Sequence, residues 1–539
     1  MKTFRLLGVR LVGLVMVFAI VAAACGPSAS TPAAPAAPSG PRGAFIFDAL
    51  FAAQPTFDPQ KFLANGPGAF SNLVYDRLVS FVGADVSEVK PQLAASWTVS
   101  PDAKVFTFKM RDNAKFSDGT PVTSADPLFT YNRLKNILSI STPLTVGLTF
   151  SAPSPDTFVI TSATPNPGLL VTIANYPWGI YNSKVLKANG GVDTAGADKT
   201  DTATKFLDTT SAGSGPYALE THEPLQRIVL VPNKNNWGDR PPVFEKMILR
   251  HVQPQTQLLN ILGGESDLSV ELSPTDVKQI TKGYDLKASP ANRVVFIAFT
   301  TDAKLDPLAA NKDFWEAVKY GLDYRSLLEL APGAIRTSFV PSDIPHGLPQ
   351  AQMRQRDLTR AKAALARALQ ATGQSAARLN FAYASDNPQL GIDQGVVAQR
   401  VQANLAEVGI TLTLAPSPLA TINDGVAVKF TVPFYEWSAV VQPEASQWLF
   451  WCPDQRSGLR ARMVAAEWTE LQGLCNTAKQ AITKDAQAAA FGAVQRYLEE
   501  KGPYVTLFQP AQQVVSRQTF KGVEYSSALY VDLRNVQYK

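Results

Sequence analysis

The pattern of hydrophobic and polar positions divides the chain into a short apolar run, a polar spacer and a long body of mixed pattern. Residues 11–24 form an uncharged apolar run, and Lys2, Arg5 and Arg10 precede it. A run of this length is too short to span a bilayer comfortably, and a basic flank before it is typical of a cleavable export signal. The pattern therefore predicts that residues 1–24 are a signal peptide.

The body of the chain carries both strand-like and helix-like patterns. Residues 106–110, reading FTFKM, alternate apolar and polar side chains and predict a strand. Residues 118–121, reading DGTP, predict a turn. Thr123 or Ser124 is then expected to cap an amphipathic helix that runs through Leu134.

The spacer and the cysteine before it predict how the body of the protein is attached to the membrane. Residues 26–42, reading GPSASTPAAPAAPSGPR, contain five prolines and nothing larger than threonine before the final arginine. They predict an extended tether with a reach of about 50 Å. Cys25 follows three alanines, which resembles a bacterial lipobox, although Ala22 stands where that motif usually has leucine. The resemblance implies a lipidated Cys25 and a body at the outer face of the cell membrane; ordinary secretion with cleavage near Ala24 is the alternative.

Composition narrows the class of protein. Residues 43–539 are long enough for two or three domains, and contents of 45% hydrophobic and 18% charged residues indicate a globular protein with a substantial core. The formal charge of +5 falls to +2 once the three basic residues of the signal are removed. Since no basic run follows, a nucleic-acid partner is not expected.

The remaining cysteines and the histidines predict a disulfide rather than a metal site. Cys452 and Cys475 could close a local loop in an oxidising compartment, which contributes roughly 3 kcal/mol to stability. Two buried free thiols are the alternative. His222, His251 and His346 are scattered without ligand spacing, so no metal or other cofactor is expected.

The segment of residues 73–134 carries the ordered motifs of a known family. Trp97 comes before a turn, which is followed by a strand, an F-x-D-G-x-P turn and the capped helix. This order resembles the family-5 solute-binding proteins of ABC importers, the peptide and nickel type of receptor. Further stretches resemble the family in the same order, namely residues 213–217, 233–242, 263–267, 314–325, 357–369 and 502–508.

The resemblance implies an α/β protein of two lobes, with the type II, cluster C-like fold of periplasmic binding proteins. Residues 43–294 and 502–539 would form the first lobe, with a subdomain inserted at about residues 73–208, and residues 295–501 would form the second. Such a monomer encloses a small solute or oligopeptide and delivers it to ABC permease subunits in the membrane. A sensor or chaperone role for the same fold is the alternative. The chain has no G-x-S-x-G elbow, Gly-rich phosphate loop or H-E-x-x-H, so we expect no enzymatic activity.

The solute is expected to contact residues 430–452, where aromatic residues are crowded. The family commonly has a W-x-x-D-Y-x-D-P-like stretch here, and in peptide receptors an acidic side chain in it anchors the α-ammonium of the peptide. Aligned on Trp437, this chain has Val440, Val441 and Gln442 where the Asp-Tyr pair and the second aspartate would be. The usual ammonium anchor is therefore missing.

The missing anchor leaves the class of solute open. If peptides bind, Glu436, Glu444 or Asp454 must replace the anchor, because an ammonium buried without a charged partner costs several kcal/mol. Otherwise the solute lacks a free amine, as an oligosaccharide does; a nickel chelate also stays open within the family. Asp58, near the first strand, is expected to cap or turn the chain. The candidate ligand-binding residues are Trp437, Tyr435, Gln442, Trp448, Trp451 and Glu436, with Trp178 on the opposite wall.

Overall fold

The structure is a computed structural model that describes most of the body of the chain. The described residues are 43–50, 56–62, 65–335, 338, 340–342, 344–348, 354–388, 390–424, 434–440 and 465–539. The predicted signal, Cys25 and the tether lie outside them. Within these ranges no helix combines the length and the apolar character of a membrane span.

Strands and helices mix along the described residues, as the sequence predicts. The strands are β1 (Ala44–Ala49), β2 (Val79–Val82), β3 (Asp85–Pro91), β4 (Ala94–Val99), β5 (Val105–Met110), β6 (Leu148–Ser154), β7 (Thr157–Ser162), β8 (Tyr217–Glu223), β9 (Arg227–Pro232), β10 (Lys246–His251), β11 (Leu268–Ser269), β12 (Tyr284–Pro290), β13 (Arg293–Phe299), β14 (Gly333–Ile335), β15 (Ala377–Ala384), β16 (Ile410–Ser417), β17 (Phe434–Val440), β18 (Tyr504–Arg517), β19 (Phe520–Lys521), β20 (Tyr525–Ser526), β21 (Tyr530–Val531) and β22 (Gln537–Tyr538). The α-helices are α1 (Asn65–Val74), α2 (Ala125–Asn136), α3 (Leu169–Ile173), α4 (Ser183–Ala188), α5 (Ala197–Thr200), α6 (Thr204–Leu207), α7 (Pro254–Leu262), α8 (Pro274–Val277), α9 (Lys312–Gly321), α10 (Tyr324–Leu330), α11 (Leu358–Thr372), α12 (Gln394–Ala406), α13 (Leu419–Asp424), α14 (Ala465–Gln480) and α15 (Lys484–Lys501). Short 3-10 helices lie at Thr142–Thr145, Tyr176–Trp178 and Leu533–Asn535.

One large mixed sheet runs through both halves of the body. Its strand order is β16-β15-β17-β13-β18-β11-β1-β10-β9-β8, and β12 and β14 pair with β18 beside this path. β1 is parallel to β10, and β15 is parallel to β16. Parallel neighbours need crossover connections, which helices usually supply. This sheet with its connecting helices is therefore of the α/β class that the sequence predicts.

Two antiparallel connections cross between the halves and form the hinge. The first part of β18, residues 504–508, pairs with β13, and its second part, residues 511–517, pairs with β12. Since β12 ends at Pro290 and β13 begins at Arg293, the chain also crosses there. β18 is buried along its length except at Ala511, as expected of a strand at the centre of the molecule. The predicted lobe boundary between residues 294 and 295 falls inside β13.

Separate apolar cores stabilise the two halves and the inserted subdomain. In the first lobe, Phe45 packs against Phe244 with ring centroids 5.0 Å apart. The inserted subdomain has its own four-stranded sheet, in the order β4-β5-β7-β6, whose core contains Phe106 and Phe108. In the second lobe, α9, α11 and α12 pack on the sheet around Phe381. Each such buried side chain contributes about 1.5–3 kcal/mol, so each unit has a stabilising core.

The family motif at the start of α2 stabilises the helix, although not in the predicted way. Ser124 lies at the N-cap, but its side chain makes no capping bond and donates instead to Ser154 O at 2.5 Å. Asp126 Oδ2 accepts from Thr123 N at 2.8 Å. A carboxylate in the first turn also interacts favourably with the helix dipole. The predicted side-chain cap by Ser124 therefore does not form, and Asp126 instead holds the residue before the helix.

The glycine motif at residues 213–217 is needed for close packing. A Cβ atom on Gly213 would lie 2.0 Å from Val74 O, and one on Gly215 would lie 2.3 Å from Leu73 O. The loop can approach the end of α1 so closely only because these residues lack a Cβ. This motif thus identifies the fold without marking a ligand site.

Asp58 does more than the turn expected of it. Its Oδ1 does accept from Gln60 N at 3.2 Å, as in a turn. However, it is fully buried, and its Oδ2 accepts from Arg133 Nη2 at 2.7 Å. Arg133, on α2, also donates from Nε to Asp201 Oδ2 at 2.8 Å. Asp58 is therefore part of a buried ion-pair network that joins three segments of the first lobe.

Candidate functional site

The hinge brings residues from several segments around one small pocket. Its walls are formed by Gly68 of α1, Tyr176, Asn292 between β12 and β13, and residues 525–530 of the C-terminal return. The pocket holds about 20 Å³, which is room for roughly one water molecule. Its described walls belong to the first lobe and to the crossing connection, so the pocket marks the first-lobe side of the hinge.

Tyr176, and not the predicted Trp178, lines this pocket. Tyr176 is partly exposed, and its ring stacks on Phe62 with centroids 5.3 Å apart. Trp178 is 0% exposed and packs edge-on against Tyr131 at 4.8 Å, inside the apolar core of the inserted subdomain. The expectation that Trp178 forms a wall of the cleft is wrong in this structure, because a solute does not reach a fully buried ring.

Hydrogen bonds from Asn292 and Gln509 and to Tyr525 hold the backbone where the chain crosses between the lobes. Asn292 N donates to Tyr525 Oη at 2.6 Å, and Asn292 Nδ2 donates to Ser527 O at 2.9 Å. Gln509 Nε2 donates to Ala291 O at 2.9 Å. Both crossing connections are thus tied to other segments of the same chain by buried or partly buried hydrogen bonds, which cost more to break than exposed ones. These bonds hold the backbone of the crossing connections in a defined conformation.

A carboxylate and a tyrosine meet beside the pocket. Tyr530 Oη donates to Glu271 Oε1 at 2.6 Å. Tyr530 has φ +64°, a left-handed conformation that aromatic residues rarely adopt and that often occurs at functional sites. Burial raises the pKa of Glu271, and the bond from Tyr530 acts against this rise. Burial and the nearby Glu271 raise the pKa of Tyr530, so the phenol remains a donor at neutral pH.

Arg293 lies close to this pair without bonding to it. Burial lowers the pKa of Arg293, while Glu271, Tyr530 and Tyr525 act in the opposite direction. Its side chain is partly exposed and makes no hydrogen bond or ion pair within the described part of the chain. A guanidinium with five N–H donors thus lies beside the crossing connection, near enough to Glu271 to feel its charge.

A larger cavity of about 290 Å³ lies inside the first lobe, and we interpret it as separate from the hinge and from a solute site between the lobes. Its walls include Asp76, Arg77, Trp237 and Arg534. Arg534 Nη1 donates to Asp76 Oδ1 at 2.6 Å, and Trp237 Nε1 donates to Asp76 Oδ2 at 3.1 Å. Burial and the neighbouring Arg534 lower the pKa of Arg77 to about 9. Because all of its walls belong to the first lobe, motion between the lobes does not open or close this cavity.

The predicted ligand residues on β17 lie beside the hinge. β17 is antiparallel to β13, and the pairing sets Trp437 opposite Phe296 and Tyr435 opposite Ala298. Glu436 lies between them on the same strand. Since β13 also pairs with β18, this segment is one strand away from the crossing connection. Their contact with a solute stays a prediction.

Other predicted site residues lie outside the described residues, namely Gln442, Trp448, Trp451, Cys452 and the alternative anchors Glu444 and Asp454. Cys475 is buried on α14 and is disulfide-bonded, and its pairing with Cys452 stays a prediction. Over the described ranges, no three His, Cys, Asp or Glu side chains are grouped as metal ligands.

Sequence reasoning missed the polar residues beside the hinge. Glu271, Arg293 and Tyr530 belong to no motif, and 259 positions separate Tyr530 from the carboxylate that it binds. One signal was available, since Arg293 directly precedes the apolar run VVFIAF. A charged residue at the start of a buried strand indicates a position near the surface or a polar partner, because charged side chains are rarely buried alone.

Comparison with proteins of known sequence points to one family. A profile described as bacterial extracellular solute-binding proteins, family 5 Middle, matches residues 88–458. A probable D,D-dipeptide-binding periplasmic protein of Escherichia coli K12 is 27% identical over 494 residues, covering 89% of this chain and 91% of its own. The nickel-binding periplasmic protein of the same organism is 25% identical over 418 residues, covering 69% of this chain and 72% of its own.

Solved structures share the fold over nearly the whole chain. A dipeptide-binding protein from Pseudoalteromonas sp. SM9913, in complex with Met-Leu, has a TM-score of 0.76 at 16% identity and covers 92% of this chain and 100% of its own. A periplasmic binding protein from Helicobacter pylori, in complex with the peptide STSA, has a TM-score of 0.74 at 18% identity and covers 92% and 98%. These likenesses confirm the predicted two-lobe α/β fold.

Proposed function

Because this chain belongs to the bacterial extracellular solute-binding proteins of family 5, we propose that it captures a peptide-like solute between its lobes and delivers it to an ABC permease. The hinge carries this proposal. Two crossing connections join the lobes, and a pocket beside them is lined by residues of the inserted subdomain, the crossing chain and the C-terminal return. A solute that contacts both lobes would stabilise the closed form at the expense of the open one.

The proposal places the protein outside the cytoplasm and assigns it no catalysis. The relatives are named as periplasmic binding proteins. Lipidation at Cys25, followed by the flexible tether, would hold a monomeric body near its permease. A Cys25→Ser variant should then move from the membrane fraction to the soluble fraction, which immunoblotting of fractionated cells measures. Equal membrane association of the variant would exclude the lipid anchor.

A second class of solute is favoured by one observation. Val440, Val441 and Gln442 stand where the family's peptide receptors have their acidic anchor. A solute without an amine, such as an oligosaccharide, would need no such anchor and could stack on aromatic rings of the cleft. This alternative keeps the transport role and changes only the cargo.

A thermal-shift screen of the purified protein distinguishes these solutes. Any ligand that binds only the native state raises the melting temperature. The probes are peptides of two to five residues including D-Ala-D-Ala, oligosaccharides and nickel chelates. Stabilisation by peptides supports the proposal, whereas stabilisation by sugars alone would establish the second class. A chain that none of them stabilises would contradict both.

Trp437 provides the matching variant. Trp437→Ala should weaken binding of the stabilising solute while the melting temperature of the free protein stays close to that of wild type. Trp97→Ala, in the inserted subdomain, is the control for loss of a tryptophan. Unchanged affinity of Trp437→Ala for the solute would show that the binding site does not include β17.

A further inference from the structure

The cavity inside the first lobe has features of a ligand site that is separate from the hinge. Its volume of about 290 Å³ lies near the lower end of the range for small-molecule sites. The inserted subdomain, the loop of residues 236–243 and the C-terminal return at residues 529–536 meet around it. Cavities where separately packed units meet are common places for ligands. The place and the volume therefore suit a small ligand.

Positive charge exceeds negative charge in the walls of this cavity. They contain four arginines, one lysine and three aspartates. Because Lys90 is bound to Glu88 on the exposed surface, the balance inside depends on the arginines and the aspartates. Four guanidinium groups thus face three carboxylates, and the contacts of each group decide which charges are balanced.

Asp76 balances one arginine and is then fully occupied. Its Oδ1 accepts from Gln92 Nε2 at 2.9 Å and from Arg534 Nη1 at 2.6 Å. Its Oδ2 accepts from Ser214 Oγ at 2.9 Å and from Trp237 Nε1 at 3.1 Å. These bonds use the full capacity of a carboxylate, so Asp76 has no oxygen left for a second arginine.

The other two aspartates do not neutralise a further arginine. Asp532 Oδ2 accepts from Gly83 N at 2.8 Å and from Asn535 Nδ2 at 2.6 Å, and its Oδ1 accepts from Arg534 N at 3.2 Å. Asp239 is exposed, and solvent screens its charge. The remaining arginines therefore have no carboxylate within bonding distance among the described residues.

Arg77 is the most deeply buried of these arginines. It is 1% exposed, and its Nη2 donates to Ser80 Oγ at 2.7 Å. Its Nη1 donates to Asn72 Oδ1 and, at 3.4 Å, to Tyr75 O. All of these acceptors are neutral, and Arg77 Nε has no partner within the described residues. A buried cation without a counter-charge is unfavourable, so a negative charge in the cavity would stabilise this lobe.

Arg111 and Arg240 are more accessible and have unused N–H groups. Arg111 Nε donates to Gln92 O at 2.7 Å, and its guanidinium carbon lies 5.9 Å from the ring centroid of Trp237. Arg240 is exposed and donates from Nη1 to Asn535 Oδ1. The remaining N–H groups of both arginines make no hydrogen bond among the described residues. They can therefore donate to a ligand.

We propose that this cavity binds a compact organic anion, a carboxylate or a phosphate ester, whose acidic group accepts from Arg111 and Arg240 and whose body packs on Trp237. Arginine donates two parallel bonds to either kind of acidic group. The Trp237 ring is held through its Nε1, so it offers the ligand a fixed, flat apolar surface. Leu529 and Val243 also line the cavity. This site is distinct from the solute site of the proposed function and does not depend on it.

Such an anion would join two parts of the first lobe. Arg111 follows β5 of the inserted subdomain, whereas Arg240 lies in the loop between β9 and β10 of the large sheet. A ligand that contacts both stabilises their packing. Because it binds only the folded protein, it also raises the melting temperature.

Calorimetric titration and melting temperatures of the purified protein test this site. The probes are benzoate, citrate, phenyl phosphate and inorganic phosphate, each compared with sodium chloride at equal ionic strength. At least one organic anion should bind and raise the melting temperature above its value in chloride. Binding of benzoate or citrate would identify a carboxylate as the ligand, and binding of phenyl phosphate alone would identify a phosphate ester. Binding of inorganic phosphate without any organic probe would overturn the proposal of an organic ligand.

Single substitutions show whether the arginines hold the anion. In Arg111→Gln and in Arg240→Gln, affinity should fall roughly 10-fold to 100-fold, as expected when a hydrogen bond to a charged group is lost. Arg111→Lys keeps the charge without the planar fork and should recover part of this loss. Arg227→Gln is the matched control, because it removes an exposed charge from β9 outside the cavity.

Melting temperatures of the free variants serve as the folding control. Arg111 is half-buried and Arg240 is exposed, so both variants should melt close to wild type. If Arg111→Gln does not fold, Arg240→Gln alone tests the site, and its affinity for the anion should still fall.

The outcomes also distinguish this site from the proposed cleft. If no probe raises the melting temperature above its value in chloride, the anion site is overturned. An equal loss of affinity in Arg227→Gln would overturn it too, because the effect would then be one of general charge. Trp437→Ala should bind the anion as wild type does, and loss of binding in that variant would assign the anion to the cleft between the lobes. The transport role stands in each case, since peptide and sugar probes test it.

Discussion

Arg133→Met should destabilise the first lobe strongly, with a characteristic dependence on pH. Arg133 is fully buried on α2 and donates to Asp58 Oδ2 at 2.7 Å, to Asp201 Oδ2 at 2.8 Å and to Gln60 Oε1 at 2.8 Å. Methionine fills much of the same space but leaves two carboxylates, at 0% and 1% side-chain exposure, without their cation. Removing one partner of a buried ion pair costs about 3–5 kcal/mol.

The pH dependence identifies charge, rather than packing, as the cause. In the wild-type protein, burial would raise the pKa of Asp58, but Arg133 and the hydrogen bonds from Tyr181 and Gln60 bring it below the ordinary value. Its contribution to stability is therefore complete above the unfolded pKa of about 3.9 and is lost as pH falls through the folded value. Without Arg133, we expect burial to raise the pKa above that of the unfolded chain. The difference in the free energy of unfolding between wild type and variant should then be largest at neutral pH and shrink as pH falls towards about 4.

Urea denaturation of wild type and variant at pH 7.5, 6 and 5 measures this deficit. Arg227→Met is the control, because Arg227 binds Glu223 at 2.7 Å on the surface, and loss of an exposed pair costs at most about 1 kcal/mol. A deficit for Arg133→Met below about 1 kcal/mol, or one that does not change with pH, would refute the argument from buried charge.

Three further predictions follow from single contacts. Asp267→Asn should lower the free energy of unfolding by about 3 kcal/mol, because Asp267 Oδ1 accepts from the buried Arg517 Nε at 2.7 Å; a urea midpoint equal to that of wild type would contradict this. Gly391 lies in the loop between β15 and α12, and a Cβ on it would lie 2.5 Å from Glu271 O and Ser273 N of the first lobe. Gly391→Val should therefore weaken solute binding by hindering closure of the lobes. Wild-type affinity of this variant in a calorimetric titration would show that the loop does not take part in closure. If Cys475 pairs with Cys452, Cys452→Ser should cost roughly 3 kcal/mol, and melting temperatures that match with and without reductant would exclude the bond.

Local patterns in the sequence were sufficient for the elements and the class of fold. The alternating FTFKM segment became β5 (Val105–Met110), and the helix expected after Ser124 became α2 (Ala125–Asn136). Ordered motifs identified the family, and the matching profile confirms it. These predictions succeeded because periodicity, turn residues and helix starts depend on residues only a few positions apart.

Single side chains were predicted less well, because their role depends on distant neighbours. Trp178 was an attractive aromatic candidate, yet the fold of the inserted subdomain buries it against Tyr131. Asp58 was expected to cap or turn the chain, yet it also binds Arg133, which is 75 positions away. A sequence shows that a tryptophan or an aspartate is present, but burial decides whether it reaches solvent, a solute or another side chain.

The sequence by itself therefore determined the family, the α/β class and the local elements. That the usual acidic anchor is missing stays a prediction. Only the tertiary structure decided which charged groups stand at the hinge. Glu271, Arg293 and Tyr530 come from three separate segments, and the two crossing connections bring them together. The physical reason is that a binding site depends on distances across the folded molecule, and these are set by the pairing of strands that are far apart in the chain.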